Sequence, residues 1–206
     1  EIYHHDPPYD KYTTLFFYPS LYSYTILSYA DRMADKKDQA KIFEGDATDE
    51  AQLEKAIKGQ DVVYANLGGA KDIDLEAEAV VEAMHNDKVK RLIWISTLGI
   101  YDEVPGQFGE WNKSQLGDYI TAYAKAAKRI EDSGLDYTII RPTWMTDKNE
   151  VDYEKSKKGQ PITDTEVSRK SVAAYIYHLI KNPKEAIDES IGLGKPGSEG
   201  DKPSWY

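Results

Sequence analysis

Ser133-Gly134-Leu135-Asp136-Tyr137-Thr138-Ile139-Ile140-Arg141-Pro142 is the stretch whose reading decides the fold. Ser133-Gly134 stops a helix, because glycine accepts the backbone turn that other residues resist at a helix end. Tyr137 to Ile140 is a strand too apolar to leave one face in water, as expected of a sheet covered on both sides. Arg141-Pro142 closes it.

The same alternation of helix and strand extends in both directions. Upstream, a helix near Asp118 to Asp132 puts Tyr119, Ala122, Tyr123, Ala126 and Ile130 on one face. Arg91 to Ser96 is a strand, and the helix before it carries Ile73, Ala77, Val80, Val81 and Met84 at helical spacing. The other face of that helix holds Asp72, Asp74, Glu76 and Glu78 and reads as solvated surface. Asp61 to Asn66 is a buried-type strand stopped by Gly68-Gly69, and Lys41 to Glu44 is a short one ending in Gly45-Asp46. Thr48 or Asp49 can cap the helix that follows, with Leu53, Ala56 and Ile57 inward. Downstream, a polar excursion runs from Thr146 to about Thr165, and Ser168 caps a helix with Val172, Tyr175, Ile176, Leu179 and Ile180 inward. Gly192 to Tyr206 reads as a loop. So does Gly99 to Gly117, whose Tyr101, Phe108 and Trp111 serve either as a lid or substrate wall or as simple packing. Apolar strands separated by helices imply an α/β fold with a doubly wound parallel sheet, as a single domain over residues 1–206.

The start of the chain departs from this plan. No glycine occurs before Gly45, although such a domain opens with a glycine-rich turn that lets the backbone approach a pyrophosphate at a helix N-terminus. Residues 1–30 hold seven of the 16 tyrosines, one Lys or Arg, and prolines at 7, 8 and 19. Thr25 to Tyr29 can be a strand with Ala30-Asp31-Arg32 as its exit, but residues 1–23 read as anomalous, with no legible strand, turn and helix. Three origins stay open: natural divergence, a truncated or altered chain, or translation in a shifted reading frame.

The 206 residues carry a formal charge of −10 and no cysteine. Thiolate chemistry and disulfides are excluded, and the composition fits a cytoplasmic protein. The acidic balance argues against nucleic acid as a partner, since such binders neutralise phosphates with Lys and Arg. No apolar run approaches the ~20 residues of a membrane span. No secretion signal is legible, so Asn112-Lys113-Ser114 is read as a fortuitous glycosylation sequon.

Several segments taken in order resemble the atypical short-chain dehydrogenase/reductases, in particular the NmrA-like NAD(P)-binding group of small bacterial proteins. They are Phe43 to Asp46, Asp61 to Asn66, Leu92 to Ser96, Ser133 to Pro142 and Val167 to Ala173, and the likeness covers roughly residues 24–206. The resemblance implies a Rossmann-type fold, NAD or NADP as cofactor, and oxidoreduction of a small, unidentified substrate. A non-enzymatic role in sensing the dinucleotide or binding a partner, or a degenerate domain without cofactor, are the alternatives.

It also implies site residues. Asp46 and Ala47 would lie at the adenine, although Asp46 can equally begin a turn. Asn66, Leu67 and Gly68 would lie beside the ribose, or simply form a tight turn. Arg32 can pair with a 2′-phosphate, whereas Asp31 prefers the free hydroxyls of NAD, and both can be solvated loop charges. Ser96 stands where related enzymes place a catalytic serine that also meets the cofactor, though a strand-terminal serine often bonds backbone instead. Tyr119 stands at the superfamily's catalytic tyrosine, whose partner lysine lowers its pKa. Here the lysine position is Tyr123, which favours packing for both rings. His4-His5-Asp6 has no matching ligand set, so no metal is expected.

Overall fold

The computed structural model describes residues 40–206 and two earlier strands, with side chains from residue 45 onward. The strands in chain order are β1 (Thr14–Tyr18), β2 (Ser23–Leu27), β3 (Ala40–Glu44), β4 (Val62–Asn66), β5 (Arg91–Ile95), β6 (Asp136–Pro142), β7 (Trp144–Thr146), β8 (Glu154–Lys157), β9 (Glu166–Ser168) and β10 (Glu189–Gly194). The helices are α1 (Glu50–Ile57), α2 (Ile73–Asn86), α3 (Gly106–Leu116), α4 (Asp118–Glu131) and α5 (Arg169–Lys181). Eight strands form one sheet in the order β3-β2-β1-β4-β5-β6-β10-β8, and β7 pairs with β9 beside it.

Side chains alternate across a strand, and here both sets are buried. Val63, Ala65, Leu92, Trp94 and Ile139 face a core built with α1, α2 and α4. Val62, Tyr64, Ile93, Ile95 and Ile140 face the opposite core, closed by Val172, Tyr175, Ile176 and Leu179 of α5. Helices therefore cover both faces, and the sheet is doubly wound. Local signals place the helices. Asp49 caps α1 by accepting from the Gln52 amide, and Ser168 caps α5 by accepting from Ser171.

Two sequence expectations need correction. The Gly99–Gly117 stretch is not one loop, because α3 occupies 106–116 and buries Phe108, Gly109 and Asn112. Its glycines hid a helix stabilised by packing rather than by propensity. The tail from Gly192 is not all loop either, since β10 lies parallel to β6. Its glycines read as turn residues, yet a Cβ on Gly192 would come within 2.6 Å of Ile162 Cδ1, so they mark close approach in a strand. The doubly wound sheet is mostly parallel, in line with the expected fold class. β8 runs antiparallel to β10 at one edge, and β1 runs antiparallel to both β2 and β4.

The reversal of β1 follows from chain length. Parallel neighbours need a crossover of about a dozen residues or more, whereas antiparallel ones need only a hairpin. Tyr18 and Ser23 are separated by four residues, so β1 and β2 can pair only in opposite directions. β1 fills the slot beside β4 that a first Rossmann strand occupies, but the chain enters it at Thr14, opposite Asn66, and leaves at Tyr18, opposite Val62.

Two predictions test the fold. Because the chain has no cysteine, a Thr14→Cys/Asn66→Cys double variant should oxidise to a cross-link and Tyr18→Cys/Asn66→Cys should not. The opposite result, read by mass on reduction, would mean a parallel first strand. The second concerns Asp164, buried with Glu154 and Glu199 beside it, whose carboxyl is pushed up to about 7 by burial and then by those two acids. The unfolded carboxyl titrates near ~4, so between about pH 4 and 7 the folded state holds the proton and the unfolded state releases it. Stability should therefore fall as pH rises through that window. Asp164→Asn should flatten the slope in denaturant titrations and leave the variant the more stable at pH 8.

Candidate active site

The strand ends Glu44, Asn66, Ile95 and Pro142 share one edge of the sheet, where open α/β domains bind ligands. Each turn leaving that edge is held differently. After β3, the Asp46 carboxylate accepts from Thr48 N and from Thr48 Oγ1, both at 2.8 Å, so it shapes the turn while remaining exposed. Ala47 next to it is buried in the core. After β4, Asn66 is exposed, Leu67 is buried, and Gly68 and Gly69 make the turn, Gly69 with φ 108°. The Leu67 carbonyl accepts from the Tyr123 hydroxyl at 3.3 Å. Arg32 lies outside the described residues, as do Asp31 and the His4-His5-Asp6 run.

Ser96 follows β5. Its backbone N–H donates to the Ile140 carbonyl at 2.8 Å, extending the ladder, but its hydroxyl is a buried polar atom with no partner among the described residues. Most buried hydroxyls are paired, so this one is an exception at the end of the strand. The loop beyond it is rigidly built. Glu103 accepts from the backbone N–H groups of Gly99 (3.0 Å) and Tyr101 (2.8 Å), and its carboxylate pairs with the Arg141 guanidinium on β6. Arg141 is fully buried and also donates to Ser190 Oγ and the Ser190 carbonyl. The Tyr101 ring packs under the Arg141 guanidinium at 5.1 Å. Burial, followed by the bond to Glu131, pushes the Tyr101 phenol up and keeps it protonated.

Tyr119 is half-buried, packs against the α2–α4 core, and stacks on Tyr123 with centroids 6.4 Å apart. Burial pushes Tyr123 up to about 12, and a neutral phenol at that position carries no positive charge toward Tyr119. Three residues that the sequence reading did not offer as site candidates lie on the segments leaving this edge. Glu103 could have been sought from the buried Arg141, since a guanidinium inside an apolar strand requires an acid. Asn112 on α3 accepts the Trp144 indole N–H at 2.9 Å, and Thr143 carries a second buried, unpartnered hydroxyl beside Trp144. With its amide 1% exposed, Asn112 is closed to glycosylation in the folded chain.

Removing one partner of a buried ion pair leaves the other uncompensated, at a cost of ~3–5 kcal/mol. Glu103→Gln and Arg141→Met should each lower Tm by on the order of 10 °C. The double variant should lose much less than the sum, and calorimetry of all three measures the coupling. Full additivity would mean that the pair does not hold the loop.

Residues 26–183 match the model of a family described as NAD(P)H-binding. A Rossmann-fold NAD(P)-binding family protein from Shigella flexneri is 38% identical in sequence, with a TM-score of 0.69 over 84% of this chain and 89% of that one. A short-chain dehydrogenase/reductase from Veillonella parvula, solved in complex with NADP, is 29% identical, with a TM-score of 0.75 over 81% of this chain and 77% of the other. The UPF0659 protein YMR090W of Saccharomyces cerevisiae is 27% identical over 163 residues, which span 69% of this chain and 66% of the yeast protein. Among the described residues no helix is long and apolar enough to cross a membrane. With its mostly parallel, doubly wound sheet and its strand-end turns, this chain belongs to the NAD(P)H-binding Rossmann family.

Proposed function

We propose that the protein is an NAD(P)-dependent oxidoreductase acting on a small molecule at the strand edge. The observation that carries this reading is the buried, unpartnered hydroxyl of Ser96 at the end of β5, flanked by the exposed Asn66 and the Gly68-Gly69 turn. In this reading Asp46 and Ala47 lie at the adenine, Asn66 to Gly68 at the ribose, and Ser96 at the nicotinamide end. Bound there, the reduced nicotinamide would supply a hydride. Ser96 is then the group that hydrogen-bonds the reacting end, with Tyr119 and Tyr123 as packing walls rather than acids.

These residues fit the adenosine and nicotinamide ends of the cofactor better than its middle. At β1 the chain enters the edge at Thr14 instead of leaving it through a turn, so that strand offers no outgoing loop to a pyrophosphate. Hydrogen bonds to a charged group contribute roughly 1.5–3 kcal/mol each, so losing two weakens binding about a hundredfold or more. NADH and NADPH should therefore bind in the range of ~0.1 mM or weaker in calorimetric titration. Ser96→Ala should cut turnover of a carbonyl or quinone panel at least tenfold while leaving cofactor affinity within about twofold. No binding of either cofactor at millimolar concentration removes the reading.

A second reading, a dinucleotide sensor or partner-binding protein of the NmrA-like kind, is favoured by one observation. The position that would hold the activating lysine is the buried Tyr123, tied to the Leu67 carbonyl. A sensor binds the cofactor and oxidises it with no member of the panel.

A further inference from the structure

Gly194, the last residue of β10, gives up the space of a side chain to a neighbour. A Cβ there would overlap Asp164 Cβ and stand 2.5 Å from Asp164 Oδ2, so the glycine makes room for that carboxyl. Directly opposite Gly194 on β8 is Glu154. Opposed residues of antiparallel strands point to one face with Cβ positions ~5 Å apart, which brings the Glu154 side chain within reach of Asp164. From the other side Asp164 forms an antiparallel bridge with Glu199. Carboxyls from three segments thus meet on one face.

The central acid differs from the other two. Asp164 is 4% exposed and its Oδ1 is buried with no partner among the described residues, whereas Glu154 and Glu199 are exposed. An ionised carboxylate can only accept hydrogen bonds, but a protonated one can donate. A proton on Asp164 therefore gives it a partner in Glu154, and water at the exposed acids can deliver or remove that proton. Cations on the same segments are engaged elsewhere: Lys155 lies over the Tyr175 ring, Lys157 pairs with Glu189 and Lys195 with Glu150. Glu103, whose carbonyl accepts from the Ile162 N–H, is paired with Arg141. Burial, then the bond to Glu154, push Asp164 up to about 7 against the pull of the Ser198 amide.

Asp164 also stands in the segment that fastens residues 195–206. Thr165 N donates to the Ser198 carbonyl at 3.3 Å, and Lys195 N donates to the Glu166 carbonyl at 2.8 Å. Ser204 donates through N and Oγ to the buried Glu166 carboxylate at 3.0 and 2.7 Å. Trp144 N donates to the Thr165 carbonyl, and Trp205 and Tyr206 lie against the Trp144 ring. We propose that Asp164 and Glu154 are a proton-operated latch. One proton held between the two carboxyls fastens residues 162–166, and with them residues 195–206, onto β10 and β8. Loss of that proton lets residues 195–206 open while the rest of the sheet stays folded. The latch goes beyond the oxidoreductase reading and does not depend on it.

In the open form Asp164 meets water and titrates near ~4, so opening releases a proton between that pH and the closed form's own titration. The opening equilibrium should rise by up to about tenfold per pH unit in that window and level off above it. Amide hydrogen exchange of the whole chain, read by mass on peptides and corrected for the intrinsic pH dependence of exchange, measures this. Residues 197–206 should lose protection about tenfold between roughly pH 5.5 and 6.5, change little above about 7.5, and exchange faster than α4 throughout. Asp164→Asn carries a permanent donor toward Glu154 and should remove the pH dependence. Glu154→Gln takes away one acid, so levelling should come about one pH unit lower, and Glu199→Gln should move it less. Glu154 is exposed, so its variant tests the latch even where Asp164→Asn does not fold. Residues 197–206 exchanging in step with α4 would mean that only global unfolding releases the proton, and overturns the latch. So does a slope kept in Asp164→Asn, or levelling that Glu154→Gln leaves in place.

Discussion

The buried pair between Glu103 and Arg141 is the constraint on which the rest of the site depends. Arg141 sits at the end of β6 with no exposed surface, so its charge must be met inside the protein. Glu103 meets it from the loop after β5, and the same carboxylate gathers the Gly99 and Tyr101 amides. One acid therefore fixes the shape of the loop that leaves Ser96 and enters α3. From α3 comes Asn112, and from the segment after Arg141 come Thr143 and Trp144. The charge in the strand and the donors at its edge are parts of one arrangement.

The opposite side of the edge is built on a different compromise. A Rossmann sheet needs a strand between β2 and β4, and this chain supplies one in reverse because four residues are too few for a crossover. The ladder is satisfied and the sheet stays continuous, so the fold tolerates the change. What the reversal alters is direction at the edge. A strand that arrives there cannot deliver the outgoing turn and helix start that complement a pyrophosphate. The same feature thus preserves the architecture and changes what its first strand presents at the edge.

Much of the architecture was legible from residue patterns, and the failures have physical causes. The helices α1, α2, α4 and α5 are amphipathic and carry cap or stop residues such as Asp49, Gly134 and Ser168, so local rules suffice. α3 and β10 are glycine-bearing elements whose stability comes from neighbours, and no local pattern announces them. The site divides along the same line. Ser96, Asn66 and Asp46 stand at strand ends and could be named from the sequence, whereas Asn112 and Glu103 matter through partners remote in the chain.

By itself the sequence determined the alternation of helix and strand, the two-faced burial of the strands and the want of a glycine turn before Gly45. Those follow from periodicity and from backbone freedom, which are properties of neighbouring residues. Only the tertiary structure decided how the vacant slot beside β4 is filled, which acid answers Arg141, and which way the Asn112 amide points. Each of these depends on groups brought together from distant segments, where one donor, one charge or one strand direction leaves its partner a single arrangement.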